Sequence, residues 1–211
     1  MTSFSISYRT PPITPYSPKI GDLCAAQFSQ DNVWYRAQIT SEINGKFKVV
    51  FIDYGNSEVL PRARILPLTS EYSLRALPAQ AIECKLAHIV LPSTEEEFGI
   101  DAIHHLQSLT EGKTLEAKFL SNTKPASVLL YDKNTFINEV MVKEGLAHVE
   151  KSSMKTYEAN HRAKVKAGLA YLLNQGQNAK DELELIIEAQ DDAKKKHVKM
   201  WQYGDFTADD D

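Results

Sequence analysis

The chain has 211 residues, of which 43% are hydrophobic, and its 24 basic and 28 acidic side chains give a formal net charge of -4. This length and composition favour a globular protein whose core lies in one large domain or two small ones. The slightly acidic balance excludes a general electrostatic attraction to nucleic acid or to an anionic membrane, so any such binding would have to be local.

Cysteine usage and hydropathy indicate a soluble intracellular protein, cytoplasmic or nuclear, with no membrane partner. Cys24 and Cys84 lack the spacing of a metal site and lie among apolar residues, so we predict two reduced core thiols. No apolar run approaches the roughly 18 residues that span a bilayer, and no signal-peptide pattern is present. The six histidines are scattered, and we expect neither a metal nor a cofactor.

Residues 1–19 are predicted to be an extended linker, because they hold four of the nine prolines of the chain. Within this segment Phe4, Ile6 and Tyr8 alternate with polar residues. A period of two is typical of a β-strand, so Phe4–Tyr8 could form a short one.

From Gly21 to about Pro67, short apolar runs separated by turn residues predict a small β-barrel. The predicted strands are Leu23–Phe28, Val33–Ser41, Lys46–Ile52, Ser57–Leu60 and a last one near Ile65. Asn44-Gly45 is a strong hairpin signal between the second and third strands. One face of each of these two strands is predicted to be core, formed by Tyr35, Ala37 and Ile39 and by Phe47, Val49 and Phe51.

Beyond Leu77-Pro78, longer elements predict a second unit of the OB type with closing helices. A strand at Ala81–Leu91 precedes a helix that a capping box of Thr94 and Glu97 would begin and Gly112 would end. The further predicted elements are strands Leu115–Leu120 and Val128–Tyr131, a helix Asn138–Glu144, a strand Leu146–Glu150, and helices Met154–Leu173 and Ala179 to about Trp201. The last helix should bury one face, formed by Leu183, Ile186, Ile187, Gln190, Ala193, His197 and Met200 or Trp201.

The stretch from Phe51 to Asn56, Phe-Ile-Asp-Tyr-Gly-Asn, brings two aromatic rings and a side-chain amide to one tight turn. Gly55 supplies the positive φ that such a turn usually needs. Phe28 and the Trp34-Tyr35 pair lie on the preceding strands, so four rings could form a cage. The alternative is that all four rings belong to the barrel core, and periodicity alone favours it.

The stretch Phe51–Asn56, with Trp34-Tyr35-Arg36-Ala37 upstream, resembles a Tudor domain. Residues 138–147 and the segment from Glu188 to Trp201 resemble a staphylococcal-nuclease-like OB fold. Residues 20–211 are similar to the C-terminal extended Tudor module of the Tudor staphylococcal nuclease family. The resemblance implies a mainly β fold with helices: a Tudor (SH3-like) barrel over residues 20–78, then a nuclease-like OB domain with C-terminal helices over residues 79–211.

The resemblance also implies a non-catalytic reader of dimethylated arginine, in the symmetric form, within an RNA-processing or gene-regulatory protein. Its partners would be Gly/Arg-rich tails of the spliceosomal or Argonaute/Piwi type. Carried over by position, the cage walls are Phe28, Tyr35, Phe51 and Tyr54, with Asn56 as a hydrogen-bond acceptor. Asp53 would lie at the cage edge or brace the turn. Trp34, one residue out of phase with Tyr35, is predicted to be a packing residue.

Two other functions compete with this reader. Nuclease catalysis is not expected, because no Asp-Thr-Pro-Glu-like segment is present and the region Lys124–Tyr131 contains no arginine. Single-stranded RNA binding by the OB unit stays open as the alternative, with the Tudor barrel then serving only as an interaction surface. Its candidate residues are Lys194, Lys195 and Lys196 in one run and Arg162, Lys164 and Lys166 near Tyr157 in another.

Overall fold

The structure is a computed structural model that describes Phe4, Tyr8 and residues 16–121, 123–166 and 181–207. The chain divides into two compact units, Met1–Glu83 and Cys84–Asp211. No helix in these ranges is long and apolar enough to cross a membrane.

The first unit is a five-stranded antiparallel sheet with the order β4-β3-β2-β1-β5. Its strands are β1 Leu23–Gln27, β2 Trp34–Ile43, β3 Lys46–Phe51, β4 Ser57–Pro61 and β5 Ile65–Pro67. A 3-10 turn, Arg62–Arg64, joins β4 to β5. No ladder of the described residues pairs β4 with β5, so hydrogen bonds do not close the sheet completely.

The β2–β3 hairpin turns at Asn44 and Gly45, whose φ angles of 51° and 74° are those of the predicted tight turn. Alternate residues of both strands are buried, as their period of two predicts. The core of this unit contains Ala37, Ile39, Phe47, Val49 and Phe51. Burying a side chain of Val, Ile or Phe stabilises the fold by about 1.5–3 kcal/mol.

Phe4 and Tyr8 pack against the first unit. Their rings lie 4.9 Å apart, and the Tyr8 ring is 5.9 Å from that of Trp34. Phe4 is helical and Tyr8 lies in a turn, so neither is extended as the predicted strand requires. The rest of that predicted strand and of the linker up to Pro15 lies outside the described residues. Trp34 has the packing role predicted for it, within this small cluster.

Strand β9 lies at the centre of the four-stranded sheet of the second unit. Its strands are β6 Cys84–Leu86, β7 Ile89–Val90, β8 Glu116–Ser121, β9 Ala126–Asp132, β10 Thr135–Phe136 and β11 His148–Val149. Its helices are α1 Gly99–Thr110, α2 Ile137–Lys143, α3 Lys151–Lys166 and α4 Glu182–Lys195, followed by a 3-10 turn, Lys199–Trp201. Strand β9 pairs antiparallel with β8 and β10 and parallel with β6, while β7 pairs with β11.

Two buried amides tie the elements of this unit together. The Asn138 side chain donates to the carbonyls of Ala87 at 3.0 Å and Val128 at 3.3 Å, and it accepts from the Leu130 amide at 3.0 Å. The Gln190 side chain on α4 accepts from the Val149 amide at 2.7 Å. Because an unpaired buried amide costs free energy, these bonds favour one arrangement of helices and strands.

The predicted strand Ala81–Leu91 is wrong as a single element. It is two short strands, and His88 between them has a φ of 66°, a left-handed conformation that no extended strand contains. The Cys84 side chain is exposed, so the prediction of two core thiols holds only for Cys24. Burial raises the pKa of Cys24 to about 12, which keeps this thiol protonated.

The start of α1 differs from the predicted capping box. The Ser93 amide donates to the Glu96 carboxylate at 2.5 Å, one residue earlier than the predicted pair of Thr94 and Glu97. This bond lowers the pKa of Glu96. The residue that precedes α1 is Phe98, with a φ of 64° and no side-chain cap. The spacing of three residues was correct, but several neighbouring Ser, Thr and Glu residues satisfy it equally well.

The last predicted helix is shorter than its apolar period suggests. Helix α4 ends at Lys195, and His197 has a φ of 51°. His197 is exposed, in contrast to its predicted place on the buried face, while Trp201 is fully buried. The preceding helix begins at Lys151 rather than Met154, and residues 167–180 lie outside the described part of the chain.

Candidate functional site

An open pocket of about 150 Å³ lies in the first unit, at one end of strands β1 to β3. Phe28 follows β1, Tyr35 lies on β2, and Phe51 is the last residue of β3. The pocket is lined by Phe28, Asp31, Tyr35, Phe51, Tyr54 and Asn56. The structure therefore brings together all five residues predicted for the cage, and we call this site the ring pocket.

The four rings of the ring pocket stand nearly perpendicular to one another. Tyr35 lies 5.2 Å from Tyr54 at 84° and 5.9 Å from Phe51 at 82°. Phe28 lies 5.3 Å from Phe51 at 80° and 6.4 Å from Tyr35 at 79°. Edge-to-face contacts are favourable between aromatic rings, and they hold the walls without filling the space between them.

The turn after β3 presents Tyr54 to solvent. The amides of Tyr54 and Gly55 both donate to the Phe51 carbonyl, at 3.1 and 2.7 Å, and the Phe51 amide donates to the Asn56 carbonyl at 2.9 Å. Gly55 has a φ of 89°, which a residue with a side chain would adopt only with strain. The Tyr54 side chain is 54% exposed as a result. The Asn56 side-chain amide has no hydrogen-bond partner among the described residues.

The rings differ in burial, and this difference bears on the two alternatives for them, a cage or part of the barrel core. Phe51 is only 1% exposed and belongs to the core of the unit, so it forms the base of the ring pocket. Phe28 and Tyr35 are half-buried and pack against that core. The core interpretation therefore holds for Phe51. Tyr54 lies outside the core and makes an edge-to-face contact with the Tyr35 ring at the rim of the pocket.

Asp31 was missed by the sequence analysis. Its carboxylate accepts from the Tyr35 hydroxyl at 2.7 Å and from the Val33 amide at 2.8 Å. The hydrogen bond to Asp31 and partial burial raise the pKa of Tyr35 to about 12, so its phenol stays neutral. The one sequence signal for Asp31 is its position four residues before Tyr35. An aspartate in a polar turn is too common for that signal to indicate a site residue.

Asp53 lies outside the ring pocket. Its carboxylate binds the Arg36 guanidinium through two bonds, from Nε at 2.9 Å and from Nη2 at 2.5 Å, and accepts from the Gln80 amide at 3.2 Å. Arg36 also donates to the carbonyls of Tyr72, Leu77 and Pro78. Of the two roles considered for Asp53, the structure assigns it to bracing the turn rather than to the cage edge.

Comparisons with known proteins show which family the chain resembles. The Tudor domain family matches residues 1–88. Ribonuclease TUDOR 1 of Arabidopsis thaliana is 32% identical over an alignment of 231 positions, which spans 98% of this chain. The extended Tudor domain of Drosophila melanogaster Tudor-SN (p100) superposes with a TM-score of 0.72 at 25% identity, covering 95% of this chain and 85% of that one. The chain belongs to the extended Tudor family.

The human TDRD1 extended Tudor domain is another similar structure, with a TM-score of 0.61 and 31% identity over 71% of this chain and 75% of that one. It was solved in complex with a symmetrically dimethylated peptide. The predicted fold class, mainly β with helices in a Tudor unit and a nuclease-like unit, is confirmed. The chain spans only about a fifth of the length of the curated relative, 21% of Ribonuclease TUDOR 1.

The basic residues considered for RNA binding in this extended Tudor chain are partly neutralised. The Lys194 ammonium lies 2.7 Å from the Asp205 carboxylate and 4.8 Å from the centre of the Trp201 ring. Lys195 pairs with Asp192 at 4.0 Å, and Arg162 pairs with Glu158 at 3.4 Å. The side chains of Lys164 and Lys166 are not among those described. These pairs reduce the charge that the run from Lys194 offers to phosphates.

Metal-binding geometry is absent from the part of the extended Tudor chain that the structure describes. No group of three or more His, Cys, Asp or Glu side chains is placed to hold a metal ion there. The ring pocket contains one carboxylate, that of Asp31, which is already occupied by hydrogen bonds. The ring pocket offers aromatic rings, one carboxylate and one side-chain amide.

Proposed function

We propose that the ring pocket binds dimethylated arginine, in the symmetric form, within Gly/Arg-rich tails of partner proteins. The chain would then act as a non-catalytic reader. The observation that carries the proposal is the open space between the perpendicular rings of Phe28, Tyr35 and Tyr54, with the carboxylate of Asp31 and the amide of Asn56 at its border.

Methylation changes arginine in a way that suits these walls. A methylated guanidinium keeps its positive charge, loses hydrogen-bond donors and gains apolar surface. Each aromatic ring presents a negative face to the cation, which contributes about 0.5–2 kcal/mol depending on how far water is excluded. The methyl groups bury against the same rings, at about 0.8 kcal/mol for each buried CH₂.

The polar groups of the ring pocket fit the remaining guanidinium N–H groups. Asn56 offers a side-chain oxygen with no protein partner among the described residues, and Asp31 offers a negative charge beside Tyr35. Symmetric dimethylation leaves a donor on each substituted nitrogen, which an acceptor at the border of the ring pocket can meet. The symmetrically dimethylated peptide bound by the human TDRD1 domain, at 31% identity, supports this preference.

The two alternative functions have less support among the described side chains. Nuclease chemistry would require a metal-binding acidic cluster, and the described side chains offer none. RNA binding would require a free basic surface, and Asp205 holds Lys194, whereas Lys195, Lys196 and Arg162 stay exposed and offer only scattered charge. We further propose a cytoplasmic or nuclear location, where arginine-methylated tails and RNA-processing assemblies occur.

Isothermal titration calorimetry with one Gly-Arg peptide in unmethylated, asymmetric and symmetric dimethylated forms tests the proposal. We expect micromolar or weaker binding, because a disordered tail has to be ordered around a single side chain. The symmetric form should bind at least about fivefold more tightly than the unmethylated one. Tyr54→Ala should remove that difference without unfolding the domain, because the ring is exposed. Equal affinities of the wild-type chain for all three peptides would refute the proposal.

A further inference from the structure

A second and larger groove, of about 530 Å³, lies within the nuclease-like unit. It runs between the segment after β7, the start of α1 and the chain that follows α4. Its lining combines aliphatic side chains, such as Leu91 and Met200, with aromatic rings and carboxylates, among them Glu96, Glu97, Phe98, His148, Tyr203 and Phe206. We call it the acidic groove. The function proposed above does not use it.

The rings of the acidic groove are exposed to an unusual degree. Tyr203 is 85% exposed and Phe206 is 48% exposed. The Phe206 ring is fixed, because it stacks on Trp201 at 4.8 Å and meets the His148 ring edge-on at 5.7 Å. Contiguous exposed apolar surface often marks an interaction site, because its exposure to water is unfavourable and a binding partner would cover it. Phe98 packs against the core of the unit and Phe206 covers the buried Trp201, whereas Tyr203 is not part of the core, so packing does not account for its ring.

The carboxylates of the groove give it a negative charge. Glu96 has a lowered pKa, because the Ser93 amide donates to it, and so it is ionised at neutral pH. Glu97 accepts a hydrogen bond from the Gln202 side chain at 3.2 Å. Neither glutamate has an ion-pair partner among the described residues. Asp205, the third carboxylate, is neutralised by Lys194 at 2.7 Å. The groove therefore carries two carboxylates without an ion-pair partner beside exposed ring faces, and His148 is the one basic side chain in its lining.

We propose that the acidic groove docks a basic, arginine-containing peptide segment, independently of arginine methylation. Guanidinium groups stack on aromatic faces and pair with carboxylates, and the groove offers both within one surface. A purely apolar peptide would cover Glu96 and Glu97 without compensating their charge. Phosphates would be repelled by the same two groups. Charge complementarity thus selects a cationic peptide as the occupant.

Fluorescence anisotropy with a labelled, unmethylated Gly-Arg repeat peptide tests this inference. The titrations use the whole chain with Tyr54→Ala, so that the ring pocket does not contribute. Adding Tyr203→Ala or Glu97→Gln should weaken binding by about three- to tenfold each, because one removes a ring face and the other a charge. Glu116→Gln, which makes the same charge change at an exposed site on β8, should leave the affinity unchanged. Equal dissociation constants for all these variants, or no binding at low salt, would overturn the proposal.

A labelled oligouridine in the same assay separates a peptide site from a nucleic-acid site. Its affinity for the chain should not respond to Tyr203→Ala or Glu97→Gln. A loss of oligouridine binding in the Tyr203→Ala variant would contradict the proposal, because the ring would then stack on bases. The result is independent of the ring pocket, since methylation-dependent binding is measured with Tyr54 intact and groove binding with Tyr54 replaced.

Discussion

Arg36 lies on the face of β2 opposite to Tyr35 and Ala37, and its partner Asp53 lies in the turn after β3. Their side chains are nevertheless only 3% and 10% exposed. The segment from Tyr72 to Pro78 covers them and supplies three carbonyl acceptors to Arg36. A buried guanidinium needs all these partners, because removing it from water costs several kcal/mol. The pair fixes the backbone next to Tyr54, and so it positions a wall of the ring pocket without touching a ligand there.

Replacing Asp53 should therefore destabilise the Tudor unit strongly. Asp53→Ala leaves the charge of Arg36 buried without its carboxylate, and we expect a loss of about 3–5 kcal/mol in the free energy of unfolding. Urea denaturation followed by tryptophan fluorescence measures it, since Trp34 is in this unit. Glu42→Ala, at an exposed position on β2 of the same unit, should cost less than about 0.5 kcal/mol. A loss below about 1 kcal/mol for Asp53→Ala would show that the pair is not the brace described.

Single residues also show which parts of the candidate site the sequence could indicate. Tyr35, Tyr54 and Asn56 could be proposed because they lie in a stretch that resembles a Tudor domain, and a turn glycine separates two of them. Asp31 and Arg36 could not, because their roles depend on contacts across the fold. An aspartate before a strand and an arginine within one have many ordinary explanations, and only the covering segment at Tyr72–Pro78 decides the role of Arg36.

At the scale of elements, strands β2 and β3 of the Tudor unit were predictable because their buried residues lie mostly on one face and their exposed residues mostly on the other. The alternation along β2 and β3 and the Asn44-Gly45 turn define the hairpin to within two residues. The nuclease-like unit was harder to divide, because left-handed residues interrupt its periodic patterns. His88 splits one predicted strand, and His197 ends one predicted helix early. A left-handed conformation is uncommon for any residue with a side chain, so the residue type gives little warning.

Gly145, after helix α2, is a point where element packing leaves no room for a side chain. A Cβ there would lie 2.4 Å from the Val198 carbonyl oxygen, and the residue has a φ of 64°. Gly112, after α1, has a similar φ of 70° but open space around it.

Alanine at these two glycines should separate backbone strain from steric overlap. Gly112→Ala should cost about 1–2 kcal/mol in the free energy of unfolding, the penalty of the left-handed conformation alone. Gly145→Ala should cost about 1–3 kcal/mol more, because the α2 end and the segment at Val198 have to move apart. Chemical denaturation followed by circular dichroism measures both variants. Equal losses would mean that the contact at Val198 relaxes freely.

At the scale of the whole molecule, the chain combines two units whose surfaces offer related chemistry. In the functions proposed above, the ring pocket of the Tudor unit binds one methylated arginine, and the acidic groove of the nuclease-like unit binds unmodified arginines. Neither depends on the other for its geometry. A Gly/Arg-rich tail contains both kinds of residue, so one partner class satisfies both sites. The net charge of -4 agrees with a cationic partner rather than a polyanion.

The central claim is that dimethylarginine enters the ring pocket, and NMR titration with the free symmetric dimethylarginine amino acid tests it most directly. In spectra with labelled aromatic and side-chain amide groups, we expect the signals of Phe28, Tyr35, Tyr54 and Asn56 to shift together with one saturation curve. Unmethylated arginine at the same concentration should shift them much less. Shifts confined to residues outside the ring pocket, or equal responses to the two amino acids, would contradict the account.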